Sequence, residues 1–493
     1  MSRPIGYAAW GALLLGAACT NPGGGTTGAA GTSGTAGSTG TAGSTGGAGT
    51  TGVAGAGGSA AGGAGAIAGG GRGGASGPGG TGTSGQAGVG ATAGASAGSS
   101  GTAGTTGAAG ATGTGGSPSI AIPGMGNCMA PAGARVEDAR AAYDKWKTDL
   151  LTSDGAGGFL RVRRPNSAGG EVNSTVSEGI AYGMLLAVYA DDQSTLDKLW
   201  QYAQKWLDSN GLMNWYINAA GTQVLGTGAA SDGDEDMAWA LIMADARWGG
   251  RGSLATNYID LAKTLIGKIW QYEVDHGRSD VFKPGDQFAD GSVINISYFA
   301  PAYYRVFGKL TGQTANWNRV ADTSYVVLAK TLNAQNGNAN NGLVPAWSTP
   351  DGVPTPPSGT SMPIHHQLDS CRTPFRIAQD YCWNAEPRAL TYLQKINGFH
   401  SGVTVAAMVD GYDLNGTPRP QFVTSGGPRA ASFVGPAGVG AMATGATFTT
   451  LRDQAYTSVA TLTQLAGSTY YQESWTGLSL QMMTGLMRDL TVR

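Results

Sequence analysis

From about residue 127 to the end of the chain, apolar residues recur at three- and four-residue spacing in twelve stretches. These predict helices over 136–151, 177–190, 194–209, 235–247, 255–272, 297–309, 314–333, 374–383, 386–398, 430–444, 449–465 and 474–489. The links between them carry turn chemistry, as at Asn210-Gly211, Gly249-Gly250, Asn336-Gly337 and Asn341-Gly342. Short strands or hairpins are expected at 159–163, 211–217 and 403–413. Twelve alternating helices predict six helical hairpins. Closed in a ring, these make an all-α fold, an (α/α)6 barrel with an inner ring of helices inside an outer one.

Such a ring has a chemical consequence. Alternate helices point the same way, so the N-termini of the even-numbered helices meet at one end. Those starts fall near Glu178, Asp234, Ser297, Pro374, Arg429 and Ser474. The residues with most chemistry lie beside them: Glu178, the acidic run 232–236, Tyr298, Asp369 and Tyr470-Tyr471. Convergent helix N-termini offer backbone donors and the positive ends of dipoles.

Before residue 127 the pattern disappears, and composition explains why. The chain has 493 residues and 84 glycines. Forty of those glycines lie in 21–120, a stretch with no Phe, Trp or Tyr and one charged residue, Arg72. It cannot bury enough apolar surface to offset chain entropy, so a disordered Gly/Ala/Ser/Thr-rich linker is expected over 20–120. No strict triplet with proline runs through it, which excludes collagen. Residues 1–19 read as an export signal: Arg3, then an apolar stretch too short to span a bilayer. Gly16-Ala17-Ala18-Cys19 resembles a lipoprotein processing site, so lipid anchoring at Cys19 stands beside simple secretion. Either way the expected location is outside the cell or tethered to its outer surface.

The rest, 121–493, is one candidate domain. Net charge is −2 with a pI near 6.1, which leaves no basic footprint for nucleic acid. Four cysteines are present: Cys19, Cys128, Cys371 and Cys382. If processing consumes Cys19, at most one disulfide forms. On one continuous helix Cys371 and Cys382 would stand about 16 Å apart, too far to bridge, so pairing them requires Cys371 off the helix. The pairing stays open.

Each motif has a plain and a chemical reading. Glu178 in Val176-Ser177-Glu178-Gly179 is either a carboxylate complementing a helix dipole or a general acid. The second role needs an apolar wall or another carboxylate, and Ile180, Ala181, Tyr182 and Met184 follow. The run from Asp232 to Asp236 is either an acidic cap or a site. An EF-hand fails, because Met237 stands where its glycine belongs. Asp369 is an N-cap with a salt-bridging arginine, or a catalytic carboxylate kept ionised by Arg372. His365-His366, His276 and His400 lack metal-ligand spacing and read as structural or solvent-exposed. Walker, dinucleotide and serine-hydrolase motifs are not found. Trp215 and Trp347, in loops near the active end, are candidates to stack on sugar faces.

Together these residues resemble the family 8 glycoside hydrolases. Val-Ser-Glu-Gly-x-x-Tyr-Gly-Met appears at 176–184, Ala-Ser-Asp-Gly-Asp-x-Asp at 230–236, and Asp-x-x-Arg-x-Pro-x-Arg-x-x-x-Asp-Tyr at 369–381. Asn295 to Tyr304 and Gly211 to Trp215 add support. The resemblance covers roughly 130–490 and implies the same (α/α)6 barrel. It implies inverting hydrolysis of β-1,4-linked glycans, with Glu178 as general acid and Asp369 as general base. Asp232 would bind the distorted sugar at the cleavage subsite. Arg372 and Tyr298 would position water, base or sugar, and Trp215 would stack on a bound sugar. Tyr471 is a further binding candidate. No metal or organic cofactor is implied. The expected partner is a β-1,4-linked polysaccharide or oligosaccharide, acted on by a monomer.

Two departures touch affinity: Leu368 stands where the family often has tyrosine, and Gln287-Phe288 replaces an expected aromatic pattern. Asp369 and the Ser-Glu-Gly form favour a cellulase-like endoglucanase. Chitosan, mixed-linkage glucan or xylan are the alternative substrates. The rival classes are a non-catalytic glycan-binding surface protein and an adhesin that works through the Gly-rich arm.

Overall fold

Twelve helices alternate between two kinds of burial. The computed structural model describes residues 125–166, 170–423, 427–461 and 466–492. The segments read as export signal and linker, with Cys19, lie outside them. Among the described residues the helices are α1 Val136–Leu150, α2 Ser177–Tyr189, α3 Gln193–Ala203, α4 Ser231–Trp248, α5 Tyr258–Tyr272 and α6 Pro301–Thr311, then α7 Thr314–Thr331, α8 Thr373–Asn384, α9 Pro387–Val403, α10 Ala431–Met442, α11 Thr449–Ala460 and α12 Thr469–Met483. Every residue of α10 is buried, and every residue of α2 except Glu178. By contrast, α5 buries one stripe, Tyr258, Ala262, Leu265, Ile266 and Ile269. A helix apolar all round needs neighbours all round, whereas a striped helix covers a core with one face.

The even-numbered helices therefore form the inner ring. Direct packing joins α2 to α4, α6 to α8, α8 to α10, α10 to α12 and α12 back to α2. Aromatic stacking carries the α4 side: the Trp239 ring lies 4.3 Å from Tyr303 on α6 and 5.2 Å from Trp383 on α8. Among the outer helices, each inner helix packs most on the one that follows it, and α12 packs most on α1. That last contact, with Trp146 Nε1 donating to Ser474 Oγ at 3.1 Å, closes the ring. The (α/α)6 barrel and its twelve helices are as the sequence predicts. No helix among the described residues is long and apolar enough to cross a membrane.

The connections carry short antiparallel strands. β1 Leu151–Thr152 pairs with β2 Arg161–Val162. β3 Thr175–Val176, β4 Tyr216–Ile217 and β5 Val224–Gly226 make a three-stranded sheet beside the start of α2. β6 Val274–Asp275 pairs with β7 Val281–Phe282, and β8 Ile294–Asn295 with β9 Trp347–Ser348.

Three expectations need correction. The strand expected over 403–413 does not form. Helix α9 runs on to Val403, Thr404 ends it at φ 69°, and Tyr412 makes only single bridges to His366 and Pro418. Helix α4 starts at Ser231, so the acidic run lies inside the helix rather than before it. Helix α12 starts five residues before the expected Ser474, which puts both Tyr470 and Tyr471 on it. The open cysteine question also resolves. Cys128 is bonded to Cys382, while Cys371 lies in a 3-10 turn ahead of α8 and is free and buried.

Candidate active site

The inner-ring N-termini approach closely because small residues let them. A Cβ on Gly233 of α4 would stand 3.1 Å from the Ser177 carbonyl carbon of α2. One on Gly179 would stand 3.0 Å from the Tyr470 ring of α12. With those side chains absent, Glu178, Asp232 and Tyr470 meet at one end of the barrel. The segment from Gln367 to Arg372 brings Asp369 to the same place just before α8.

Arg372 joins them. Its Nη1 donates to Glu178 Oε2 and to Asp232 Oδ2, both at 2.7 Å, and its Nη2 donates to Asp369 Oδ1 at 3.2 Å. Its Nε donates to Ser297 Oγ at 3.1 Å, and its plane lies over the Tyr298 ring, 4.9 Å from the centroid. One rigid planar fork holds three carboxylates. It keeps the bonded oxygens of Glu178 and Asp369 no more than about 8 Å apart, below the upper limit of about 9.5 Å for an inverting pair. Tyr470 Oη donates to the second oxygen of Glu178 at 2.6 Å, and Gln367 Nε2 donates to Asp369 Oδ2 at 3.1 Å.

These surroundings move the carboxyls. Loss of water pushes Glu178 up to about 7. Arg372 and the Tyr470 hydroxyl draw it down, and the charges of Asp232 and Asp369 push it up. Burial also raises Asp369, against Arg372 and Gln367. Glu178 keeps 19% of its side chain open to solvent, against 4% for Asp232, so the group that would meet a leaving oxygen is the reachable one.

The carboxylates floor a cleft of about 620 Å³. Trp215, Tyr298 and Tyr471 line it. Trp215 stacks on Tyr216 with centroids 5.1 Å apart, and Gly226 leaves room for its ring. Tyr471 Oη donates to the Leu368 carbonyl at 2.7 Å, fixing the backbone that presents Asp369. Trp347 is not available to a sugar. It is 1% exposed and sits edge-on to Tyr298 and stacked against Phe288.

Residues 126–488 match the family described as glycosyl hydrolases family 8. The chain belongs to this family. It is 40% identical over 306 residues to Endoglucanase A of Acetivibrio thermocellus, covering 62% of this chain and 60% of that protein. The chain thus spans less than two thirds of that relative's length. It is 36% identical over 354 residues to Endoglucanase C of Ruminiclostridium cellulolyticum, covering 71% of this chain and 72% of the other. Among solved structures, a β-1,3-1,4-glucanase from Paenibacillus sp. X4 superposes with a TM-score of 0.64 at 26% identity, covering 73% of this chain and 95% of that one.

Within this family 8 chain, sequence reading left several residues without a role. Tyr470 touches Glu178 directly, while its neighbour Tyr471 braces Leu368. Gln367 and Ser297 hold Asp369 and Arg372. A second ion pair lies beneath the first: Arg376 donates to both oxygens of Asp236, with Nη2 at 2.7 Å from Oδ2. Asp232 and Asp236 are one helical turn apart, as are Arg372 and Arg376. That shared i, i+4 spacing was a visible sign that the two segments face each other. The histidines are spent elsewhere. His366 is buried with Nδ1 3.0 Å from the Val344 carbonyl, and burial lowers it to about 4. Among the described residues no group of His, Cys, Asp and Glu is arranged to hold a metal ion.

Proposed function

We propose that this family 8 chain is an inverting endo-β-1,4-glucanase acting on cellulose or related β-glucans. The observation that carries the proposal is the single guanidinium of Arg372 gathering Glu178, Asp232 and Asp369 on the floor of an open, aromatic-sided cleft. Glu178, held protonated near neutral pH, gives its proton to the glycosidic oxygen as the C–O bond breaks. Asp369 takes a proton from a water that attacks the anomeric carbon from the opposite face. Asp232, fixed by Arg372, binds the sugar whose bond is cut, and Trp215 stacks on a bound ring. Tyr298, Tyr471 and Arg372 position the reacting groups. Water arrives opposite the departing oxygen, so the new reducing end has inverted configuration.

Hydrolysis of carboxymethylcellulose, with NMR of the first-formed anomer, tests this. The expected product is the α-anomer. Glu178→Gln and Asp369→Asn should each lower kcat by about 10²–10⁴-fold, the usual contribution of a positioned acid or base. Near wild-type rates in both variants would overturn the assignment. Mixed-linkage glucan is the second substrate to compare, because the superposed Paenibacillus protein is named for it and Leu368 lines the cleft where the family often has tyrosine.

The proposal includes export from the cell, as a monomer, with lipid anchoring at Cys19 as the alternative to release. The Cys128–Cys382 disulfide supports it, since such bonds persist in oxidising compartments. Mass spectrometry of the mature N-terminus distinguishes a lipidated Cys19 from a free end.

A further inference from the structure

Arg164 is a buried cation with no acid of its own. It follows β2, is 3% exposed and lines the cleft with Glu178 and Tyr470. Its Nε and Nη2 donate to one neutral acceptor, Ser174 Oγ, at 3.3 and 2.8 Å. Its guanidinium lies 5.1 Å from the centroid of the Tyr216 ring. Among the described residues no carboxylate forms an ion pair with it; the groups that favour its charge are the Tyr470 and Tyr216 hydroxyls and the Glu178 carboxyl. Burial alone presses against its charge. An unpaired buried cation costs several kcal/mol unless something supplies negative charge.

Its anchorage is rigid. Ser174 Oγ donates in turn to the Glu171 carbonyl, and Arg164 N donates to the Ser174 carbonyl at 3.1 Å. Tyr216 is pinned by strand pairing with Val176, the residue before α2. The guanidinium is thus fixed relative to the helix that carries Glu178.

The catalytic centre is short of positive charge. Arg372 already serves Glu178, Asp232 and Asp369 together. Arg164 apart, the other groups near Glu178 are the hydroxyls of Tyr470, Tyr182, Tyr298 and Tyr471 and the Cys371 thiol, none of them a cation. Once Glu178 has lost its proton, one guanidinium faces three charged carboxylates. We propose that Arg164 is a second cation of the catalytic centre, a positioning residue that stabilises the carboxylate left on Glu178 when its proton passes to the departing sugar oxygen. This rests on the general-acid role given to Glu178 above.

The direct test follows the Glu178 carboxyl by 13C NMR, its signal identified by absence in Glu178→Gln. Arg164→Gln keeps a donor for Ser174 and loses the charge, Arg164→Met loses both, and Arg164→Lys keeps the charge. Both neutral variants should raise the Glu178 midpoint by about half a unit or more, since a lost opposite charge favours the protonated form. Arg164→Lys should hold the wild-type midpoint, and the alkaline limb of kcat/KM should move with the NMR midpoint. An unmoved midpoint in folded neutral variants overturns the proposal, as does Arg164→Lys shifting it as far as Arg164→Met does. The NMR readout does not need turnover. If it behaves as expected while wild-type protein cleaves no glucan, the proposed function fails and the electrostatic pairing stands.

Discussion

Glu178 and Asp369 begin as nearly the same functional group, and their surroundings set them opposite tasks. Glu178 is pushed up to about 7 and is protonated in weakly acid solution. Asp369 is raised by burial but accepts from Arg372 and Gln367, which favour its charged form. Activity needs the first protonated and the second ionised, so kcat/KM is bell-shaped in pH. It should fall with a midpoint of about 7 on the alkaline side. On the acid side the limb should lie above the range of an ordinary aspartate, as the direction of the Asp369 shift requires. Rates on a soluble β-glucan from about pH 4 to about pH 9 measure both limbs. An alkaline limb in the ordinary glutamate range contradicts Glu178 as the acid. At this scale the motifs singled out Glu178 and Asp369, the residues proposed here as acid and base. What Arg372 does was only half legible. Its neighbour Asp369 is three residues away, while Glu178 and Asp232 are 194 and 140 positions distant.

Helix α4 shows what sequence periodicity misses. Four acids in its first six positions read either as a solvated cap, because acids repel and dislike burial, or as a site. They are nonetheless buried, each with a different answer. Asp232 meets Arg372 just before α8, and Asp236 meets Arg376 inside it. Glu235 accepts from Tyr304 Oη at 3.1 Å. Asp234 has no cation. Among the described residues no carboxyl oxygen of Asp234 or Glu273 has a hydrogen-bond partner, and both carboxyls are held well above their usual range, burial being the main cause, with the charge of Asp286 adding to both and that of Asp234 to Glu273. Lys283 stands near the pair but gives its Nζ to the Phe288 carbonyl. The sequence displays the acids, and nothing local to α4 displays the partners that make burial tolerable. Two buried carboxyls held so far up cannot both carry charge, so at least one of Asp234 and Glu273 keeps its proton. Because their folded pKa values are raised, the stability they contribute is complete below the ordinary carboxylate range and is lost as pH rises through the folded values. Glu273→Gln replaces that proton with a permanent amide donor. Denaturant unfolding should show the variant close to wild type at about pH 5 and more stable by about 1–3 kcal/mol at about pH 8. Equal loss of stability at both pH values would mean that the pair keeps no proton.

At the scale of the whole molecule, the ring has one covalent fastening. The outer helix α1 precedes every other helix, yet it packs on α12 at the far end of the described chain. Just before α1, Cys128 is bonded to Cys382 near the end of α8, with Met129 N donating to the Met442 carbonyl of α10 at 3.0 Å. This pairing was beyond sequence reading for a topological reason: the partners are 254 residues apart and meet only when the ring is assembled. Closing so long a loop removes much of the unfolded chain's freedom. The chain-entropy account allows about 5 kcal/mol for it, and native disulfides commonly contribute about 2–5 kcal/mol. The fastening is also remote from the chemistry. Cys382 is nine residues into α8 from Thr373, so about 14 Å of helix separates it from the end that carries Arg372. Stability and catalysis should therefore separate in the double variant Cys128→Ser, Cys382→Ser. Its unfolding free energy should drop by about 2–5 kcal/mol, while kcat on a soluble glucan at low temperature stays within about twofold of wild type. Reductant should reproduce the loss in the wild type and have no effect on the variant. A large fall in kcat without a fall in stability would mean that the disulfide holds the cleft rather than the ring. The separation expected here follows from how the barrel is built: the N-terminal ends of its inner helices carry the chemistry, and its closure is secured by α1 on α12 and by a bond at the other end of α8.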